Sequence, residues 1–267
     1  MPNTPKKILI LGHKGMLGNA VHKYFSKSPQ SYEIITLNSR FGDDLFIEEI
    51  KNKAPDYIIN CIGIIPQKNR DPKLYEKINI ELPIILEGLN IKTIHPSTDC
   101  EFSGNIDNTK KYSKSDIRDA TDDYGKSKAV ISEKIENSFK NTKIVRTSII
   151  GHEENSHLSL LDWFLNSSNE VNGYTNHYWN GITTLEWAKL CEQLIDNWDE
   201  YHTLNQYGTK EIRSKYDLLN DIKFVYNKDI NIKEFAAPQS VNKCLESDKE
   251  IPTIIEQLKE LKEFYNK

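Results

Sequence analysis

Cysteine is scarce. Four occur in 267 residues, Cys61, Cys100, Cys191 and Cys244, and none stands in C-x-x-C spacing. That argues against a disulfide framework or a zinc site and fits a reducing cytoplasm; no metal is expected. Long apolar runs are missing too. Ile8-Leu9-Ile10-Leu11 is far too short to span a membrane, and nothing ahead of it reads as a signal peptide. Positive charge is not in excess, with 35 Lys and Arg against 39 Asp and Glu for a formal net charge of -4, so neither nucleic acid nor a membrane surface is an expected partner. There is no internal repeat, low-complexity tract or long linker. The length suffices for one large domain or for a nucleotide domain with a smaller lobe.

What is present starts directly after that short apolar run. Four continuous apolar residues describe a strand buried on both faces of a parallel sheet. The segment that follows, Gly12-His13-Lys14-Gly15-Met16-Leu17-Gly18, has glycines spaced G-x-x-G-x-x-G. It reads as a sharp turn into a helix over Asn19–Phe25, whose free N–H groups and positive dipole end suit a pyrophosphate. A plain strand–helix turn is the other reading of three such glycines. Further strands are expected at Tyr32–Leu37, Asp56–Cys61, Thr93–Pro96 and Lys143–Arg146, with helices over Asp71–Leu89 and Tyr124–Phe139. This alternation defines an α/β fold on a doubly wound parallel sheet, in which ligands sit beyond the carboxyl ends of the strands. Residues 1–150 are expected to form the nucleotide domain. Residues 151–267 are expected to be mainly a substrate-binding lobe, with some segments returning to the first domain. In that second part Leu158–Leu165, Thr184–Trp198 and Ile251–Tyr265 read as helices, and Asn172–Thr184 as a polar, aromatic loop.

Tyr124 and Lys128 stand one helical turn apart in Tyr124-Gly125-Lys126-Ser127-Lys128. An ammonium beside a phenol lowers the phenol's pKa, and such a tyrosine can protonate a carbonyl oxygen as hydride arrives at its carbon. A hydroxyl at a strand end, Thr98, is placed to polarise the same oxygen. A pair of this kind on its own is equally a surface contact; its order in the chain, after the glycine loop and Ser97-Thr98, gives it weight.

These motifs resemble those of the extended short-chain dehydrogenases/reductases, and within them the dTDP-4-dehydrorhamnose reductase family of nucleotide-sugar reductases. Ser97-Thr98-Asp99-Cys100-Glu101-Phe102-Ser103-Gly104 resembles S-T-D-x-V-F-x-G, Tyr124–Lys128 resembles Y-G-x-x-K, and Arg146-Thr147-Ser148 resembles R-T-S. Gly181-Ile182-Thr183-Thr184 with Trp187-Ala188 is similar to G-x-P-T…L-A without its proline, and Val241–Leu245 resembles P-x-N-S-x-L more faintly. The resemblance implies a Rossmann-type domain and a catalytic triad of Thr98, Tyr124 and Lys128. It also implies a cofactor site built from Gly12, Gly15, Met16, Leu17, Gly18, Asp44, Leu45, Cys61, Gly63 and Asn79, with Tyr124 and Lys128.

No acid stands at the end of the second strand before Asp43, whereas Arg40 suits a 2′-phosphate. The expected cofactor is therefore NADP(H), with NAD(H) possible; Arg40 as an idle surface residue is the other reading. The expected substrate is a nucleotide-activated 4-keto-6-deoxy sugar, reduced in the cytoplasm for surface polysaccharide synthesis. Substrate contacts are expected from Cys100, Ser148, His157, Asn176, Trp179 and Asn180. Thr98-Asp99-Cys100 lacks the glutamate of the T-D-E stretch in related dehydratases. Cys100 and His157 also resemble a pair in GDP-fucose synthase, which gives an epimerase–reductase as the alternative. A non-catalytic nucleotide-binding subunit is the third reading. Homodimers are common in the superfamily, although no residue here shows one.

Overall fold

A computed structural model describes residues 4–30, 32–154 and 156–267. The first half alternates β1 (Lys6–Leu11), α1 (Met16–Lys27), β2 (Tyr32–Ile35), α2 (Phe46–Lys53) and β3 (Tyr57–Asn60). Next come α3 (Pro72–Tyr75), a π-helical turn over Glu76–Glu81, α4 (Leu82–Glu87), β4 (Lys92–Ser97), α5 (Asp123–Ser138), β5 (Thr142–Arg146) and β6 (Ile149–Ile150). The second half holds α6 (Leu160–Asn166), β7 (Glu170–Tyr174), β8 (His177–Trp179), β9 (Ile182–Thr183) and α7 (Thr184–Asp196). It ends with β10 (Leu204–Gln206), β11 (Arg213–Ser214), α8 (Lys215–Tyr226), β12 (Asn231–Phe235), β13 (Val241–Asn242) and α9 (Ile254–Tyr265).

Six parallel strands form the main sheet in the order β10-β5-β4-β3-β1-β2. The chain leaves β1 towards β2 and then crosses back to β3 on the other side. That reversal opens a crevice between the carboxyl ends of β1 and β3. Alternate side chains of β1 serve opposite faces. Ile8 and Ile10 meet Val21 and Phe25 of α1 and Trp187, Leu190 and Leu194 of α7. Leu9 and Leu11 meet Phe46 and Ile50 of α2 and Leu82 and Leu86 of α4. Ile8 to Leu11 are all buried, which explains why β1 is apolar at every position after Lys6 and Lys7.

The glycine loop ends in a close approach. A Cβ on Gly18 would lie 2.2 Å from the carbonyl oxygen of Gly12, so α1 can start this near to β1 only with glycine there.

The second half of the chain is divided between two layers. Helix α7 and strand β10 join the sheet layer. Helices α6, α8 and α9 build a separate core with Val171 and Trp179, around Leu161, Phe164, Leu218, Ile222 and Leu258. One sequence expectation is corrected here. Asn172–Thr184 is not a loop, because β7 pairs with β12, β8 pairs with both β11 and β13, and β9 pairs with β6. The partners of β7, β8 and β9 lie far away in sequence, so no hairpin signal marks them. The second strand is also shorter than expected, stopping at Ile35.

Candidate active site

A cleft of about 390 Å³ opens at the crevice. Its floor is Gly15, Met16 and Leu17 at the start of α1, with Cys61 and Gly63 beyond β3 and Asn79 from the π-helical turn. Its reactive wall is Thr98, Asp99, Cys100, Tyr124 and Lys128, and its far wall is Ser148, Glu153, Trp179 and Lys215.

Helix α1 begins without help. Gly15 at its N-cap offers no side chain, and no acidic residue lies in the first turn. The positive end of the helix therefore faces the cleft uncompensated, as an anion site requires.

Tyr124 lies in the first turn of α5, whose N-cap Asp122 accepts the Gly125 N–H at 2.8 Å. Thr98 caps the short 3-10 turn Asp99–Glu101, accepting the Cys100 N–H at 3.1 Å and donating to Asp99 Oδ1 at 3.0 Å. The two pieces touch through Gly125, where a Cβ would stand 2.2 Å from the Cys100 carbonyl oxygen. This contact holds the Thr98 hydroxyl beside the Tyr124 phenol. Burial, then the neighbouring Cys100, push the phenol's pKa up, and the Thr98 hydrogen bond opposes them. At neutral pH Tyr124 thus carries its proton, the form needed to give one away.

Lys128 is buried, donates to the Pro96 carbonyl at 2.7 Å, and lies 3.5 Å from His95 Nε2. The histidine's other ring nitrogen also has a neighbour. Asn60 Oδ1 accepts the Ile62 N–H at 3.1 Å, which turns the Asn60 amide nitrogen towards His95 Nδ1 at 3.2 Å. His95 thus lies between the Asn60 amide and the Lys128 side chain. Burial lowers the Lys128 pKa to about 8, with Glu101 opposing, and burial with Lys128 beside it holds His95 well below the usual histidine range.

A pH dependence follows. The groups facing Lys128 are His95, which stays neutral, Tyr124, which stays protonated, and Glu101. As pH rises through about 8 the ammonium is lost, and with it the positive charge that stabilises a developing oxyanion at Tyr124. The kcat/KM for reduction is expected to fall on an alkaline limb near that value, since it reports free-enzyme ionisations. A profile flat from 7 to 9 would remove Lys128 from the chemistry.

The remaining sequence-derived residues are placed as follows. Gly12 and Gly18 shape the loop without lining the cleft. Arg40 is exposed beyond β2, and Asp44 and Leu45 are exposed at the start of α2, all outside the cleft walls. Asn79 is buried and spoken for, bonding Ile64 N at 3.1 Å, Ile64 O at 3.2 Å and Ser127 Oγ at 3.2 Å. Trp179 lines the cleft and donates to Ser148 Oγ at 2.9 Å.

Three substrate contacts are corrected. Asn180 is buried with its amide consumed by Thr209 O, Leu245 O and Leu245 N. Asn176 exchanges both amide bonds with the Ala237 backbone. His157 is exposed, 3.1 Å from Asn166 Nδ2, and lines no part of the cleft, so it does not face Cys100. Burial also pushes the Cys100 thiol up to about 12, leaving no thiolate to act as a base. The epimerase pair therefore does not assemble.

Sequence reasoning missed His95, Asp99 and Lys215. Lys215 did carry a signal, because a lysine directly after the N-cap Ser214 opposes the helix dipole.

A Rossmann-type sheet with Thr98, Tyr124 and Lys128 converging over an open helix N-terminus defines an NAD(P)-dependent oxidoreductase of the extended short-chain class. The family follows: residues 6–231 match the RmlD substrate binding domain, and the chain belongs to that family. Among solved structures it is similar to a dTDP-4-dehydrorhamnose reductase from Clostridium acetobutylicum, 20% identical, with a TM-score of 0.82 over 98% of this chain and 100% of that one. It is likewise similar to the Bacillus anthracis dTDP-4-dehydrorhamnose reductase in complex with NADP, 16% identical, with a TM-score of 0.83 over 99% and 100%. A GDP-mannoheptose C4 reductase from Campylobacter jejuni with NADP bound is 16% identical, with a TM-score of 0.73 over the whole of both chains. No curated protein matches the sequence. Among the described residues no helix is long and apolar enough to cross a membrane.

Proposed function

We propose that the chain is a cytoplasmic, NADPH-preferring reductase of a nucleotide-activated 4-keto-6-deoxy sugar, serving surface polysaccharide synthesis. The observation that carries this is the meeting of Thr98 and a protonated Tyr124 inside the cleft, one helical turn from Lys128. The cleft fits a dinucleotide: the bare first turn of α1 suits its pyrophosphate, and the wall from Cys61 to Gly63 leaves room beside β3. When bound, the nicotinamide supplies the hydride.

The protein's own residues do the rest. Thr98 holds the sugar carbonyl oxygen by a hydrogen bond, and Tyr124 gives that oxygen its proton. The Lys128 ammonium stabilises the negative charge left on the phenol. Arg40, exposed beyond β2, meets the 2′-phosphate. Ser39 does not share that task, since its hydroxyl donates to Glu49 at 2.6 Å. The RmlD-family membership and the NADP bound in two of the similar reductases support the reading.

The experiment is NADPH oxidation with a panel of dTDP-, UDP- and GDP-linked 4-keto-6-deoxy sugars. Turnover of at least one member, faster with NADPH than with NADH, is expected. Failure to bind either cofactor ends the reading at its first step, and turnover with NADH alone reverses the cofactor preference.

A further inference from the structure

Lys215 is a cation without a partner inside the reaction cleft. It is the first residue of α8, held by a capping box in which Ser214 Oγ accepts the Asp217 N–H at 3.0 Å and Asp217 accepts the Ser214 N–H at 3.2 Å. Strand β11 pairs Arg213 with Trp179 and Ser214 with Tyr178, so the lysine emerges at the cleft's edge. Its ammonium stands 5.5 Å from the centre of the Trp179 ring, which is itself anchored on Ser148. Among the described residues Lys215 makes no hydrogen bond and no ion pair.

The carboxylates lining the cleft each hold another partner, and Asp99, which favours the charge on Lys215, makes no ion pair with it. Asp99 accepts from Thr98, Asp122 caps α5, and Glu153 accepts the Leu158 and Ser159 N–H groups at 2.7 Å each. Lys128 is spent on Pro96 and faces His95. Lys215 is also badly placed for stability. It is half-buried and sits at the positive end of a helix, where a cation is disfavoured. A lysine kept under such terms, with an aromatic face beside its ammonium, is set up for an anion that arrives from outside.

We propose that Lys215 is the anion anchor of the substrate half of the cleft, taking an oxyanion of the substrate across the sugar ring from Tyr124. The oxyanion is either the phosphate that joins sugar to nucleotide or an acidic group on the sugar itself. This rests on the nucleotide-sugar reading for its substrate, but the anchor is testable without it.

The test uses enzyme saturated with NADPH, so that the α1 anion site is filled, and inorganic pyrophosphate as the probe in calorimetry. The native protein, Lys215→Met and Lys215→Arg are compared. A charge-assisted hydrogen bond predicts about tenfold or weaker binding in Lys215→Met and recovery to within about threefold in Lys215→Arg. An unchanged NADPH affinity and an unfolding midpoint no lower than the native protein's show that both variants are folded. Equal pyrophosphate affinity in native protein and Lys215→Met, or no binding to the native protein, overturns the anchor.

Two further probes separate the sources. UDP-glucose and UDP-glucuronate losing affinity alike in Lys215→Met assigns the phosphate, whereas loss confined to UDP-glucuronate assigns a sugar acid. If pyrophosphate binds through Lys215 and no nucleotide sugar in the panel binds or turns over, the anchor stands and the substrate reading falls.

Discussion

Tyr124→Phe is expected to lower turnover by about 10²- to 10⁴-fold, the usual contribution of a positioned general acid. The cause is local. The half-buried ring stays in place against Tyr75, with centroids 6.0 Å apart, so the substitution removes the proton donor and little else. NADPH affinity and the thermal midpoint should therefore stay where they are. Thr98→Val provides the comparison: it removes the hydroxyl beside the phenol and the cap on Cys100 N, so it should reduce turnover while also loosening the turn. A Tyr124→Phe enzyme with near-native turnover would mean that the proton comes from elsewhere, and a chain that binds nucleotides without catalysis would tolerate the change altogether.

The largest effect on stability is expected at Glu101. The resemblance that runs through Ser97–Gly104 has valine at this position, and here a carboxylate is fully buried instead. Its two oxygens are saturated. One accepts from Ser97 and, at 2.6 Å, from Ser132. The other accepts from Arg118 Nε at 2.8 Å and from Arg146 Nη2 at 2.6 Å.

Arg146 is equally buried, stacked 5.3 Å from the centre of Phe102, and among the described residues its guanidinium's only other hydrogen-bond partner is Gln206 at 3.1 Å. Removing one member of such a set strands the other charge, which costs about 3–5 kcal/mol. Glu101→Leu should lower the unfolding free energy by that amount in urea titration. Glu101→Leu combined with Arg146→Met should lose much less than the sum of the single changes, because the stranded charge is then gone. Additive losses would show that the two residues are not coupled. The network also underlies the catalytic turn, since Glu101 closes the 3-10 segment that Thr98 opens. The destabilised single variant should therefore lose activity before it unfolds.

How much of this was legible in the sequence depended on what each residue must satisfy. Strands β1 and β3 announced themselves because burial on both faces demands consecutive apolar side chains, Ile8–Leu11 in one and Tyr57–Ile59 in the other. Strand β10 did not, because Leu204-Asn205-Gln206 looks polar. Its amides are consumed by the backbone carbonyl of nearby His202 and by those of Ile144, Tyr112 and Glu246, distant partners that no local pattern reveals. Tyr124, Lys128 and Thr98 were readable from spacing and chain order, since helical periodicity alone brings the first two together. Trp179 and its neighbours Asn176 and Asn180 looked alike as polar and aromatic candidates. The structure separates them, because the asparagine amides close backbone gaps while the tryptophan, itself almost fully buried, lines the cleft. His95 was invisible: it is one of several polar residues in Lys92–Ser97, and only the fold brings Asn60 and Lys128 to either side of it.

The backbone contact at Gly125 carries a further meaning. Because α5 is bolted to the Cys100 carbonyl without an intervening side chain, Thr98 and Tyr124 behave as one rigid jaw. The opposite jaw, with Trp179 and Lys215, belongs to strands and a helix of the other layer. Under the proposed function, reaction chemistry and substrate choice are thereby housed in separable parts. Substitutions confined to the second jaw should then alter which sugar is taken while the first keeps its proton transfer intact.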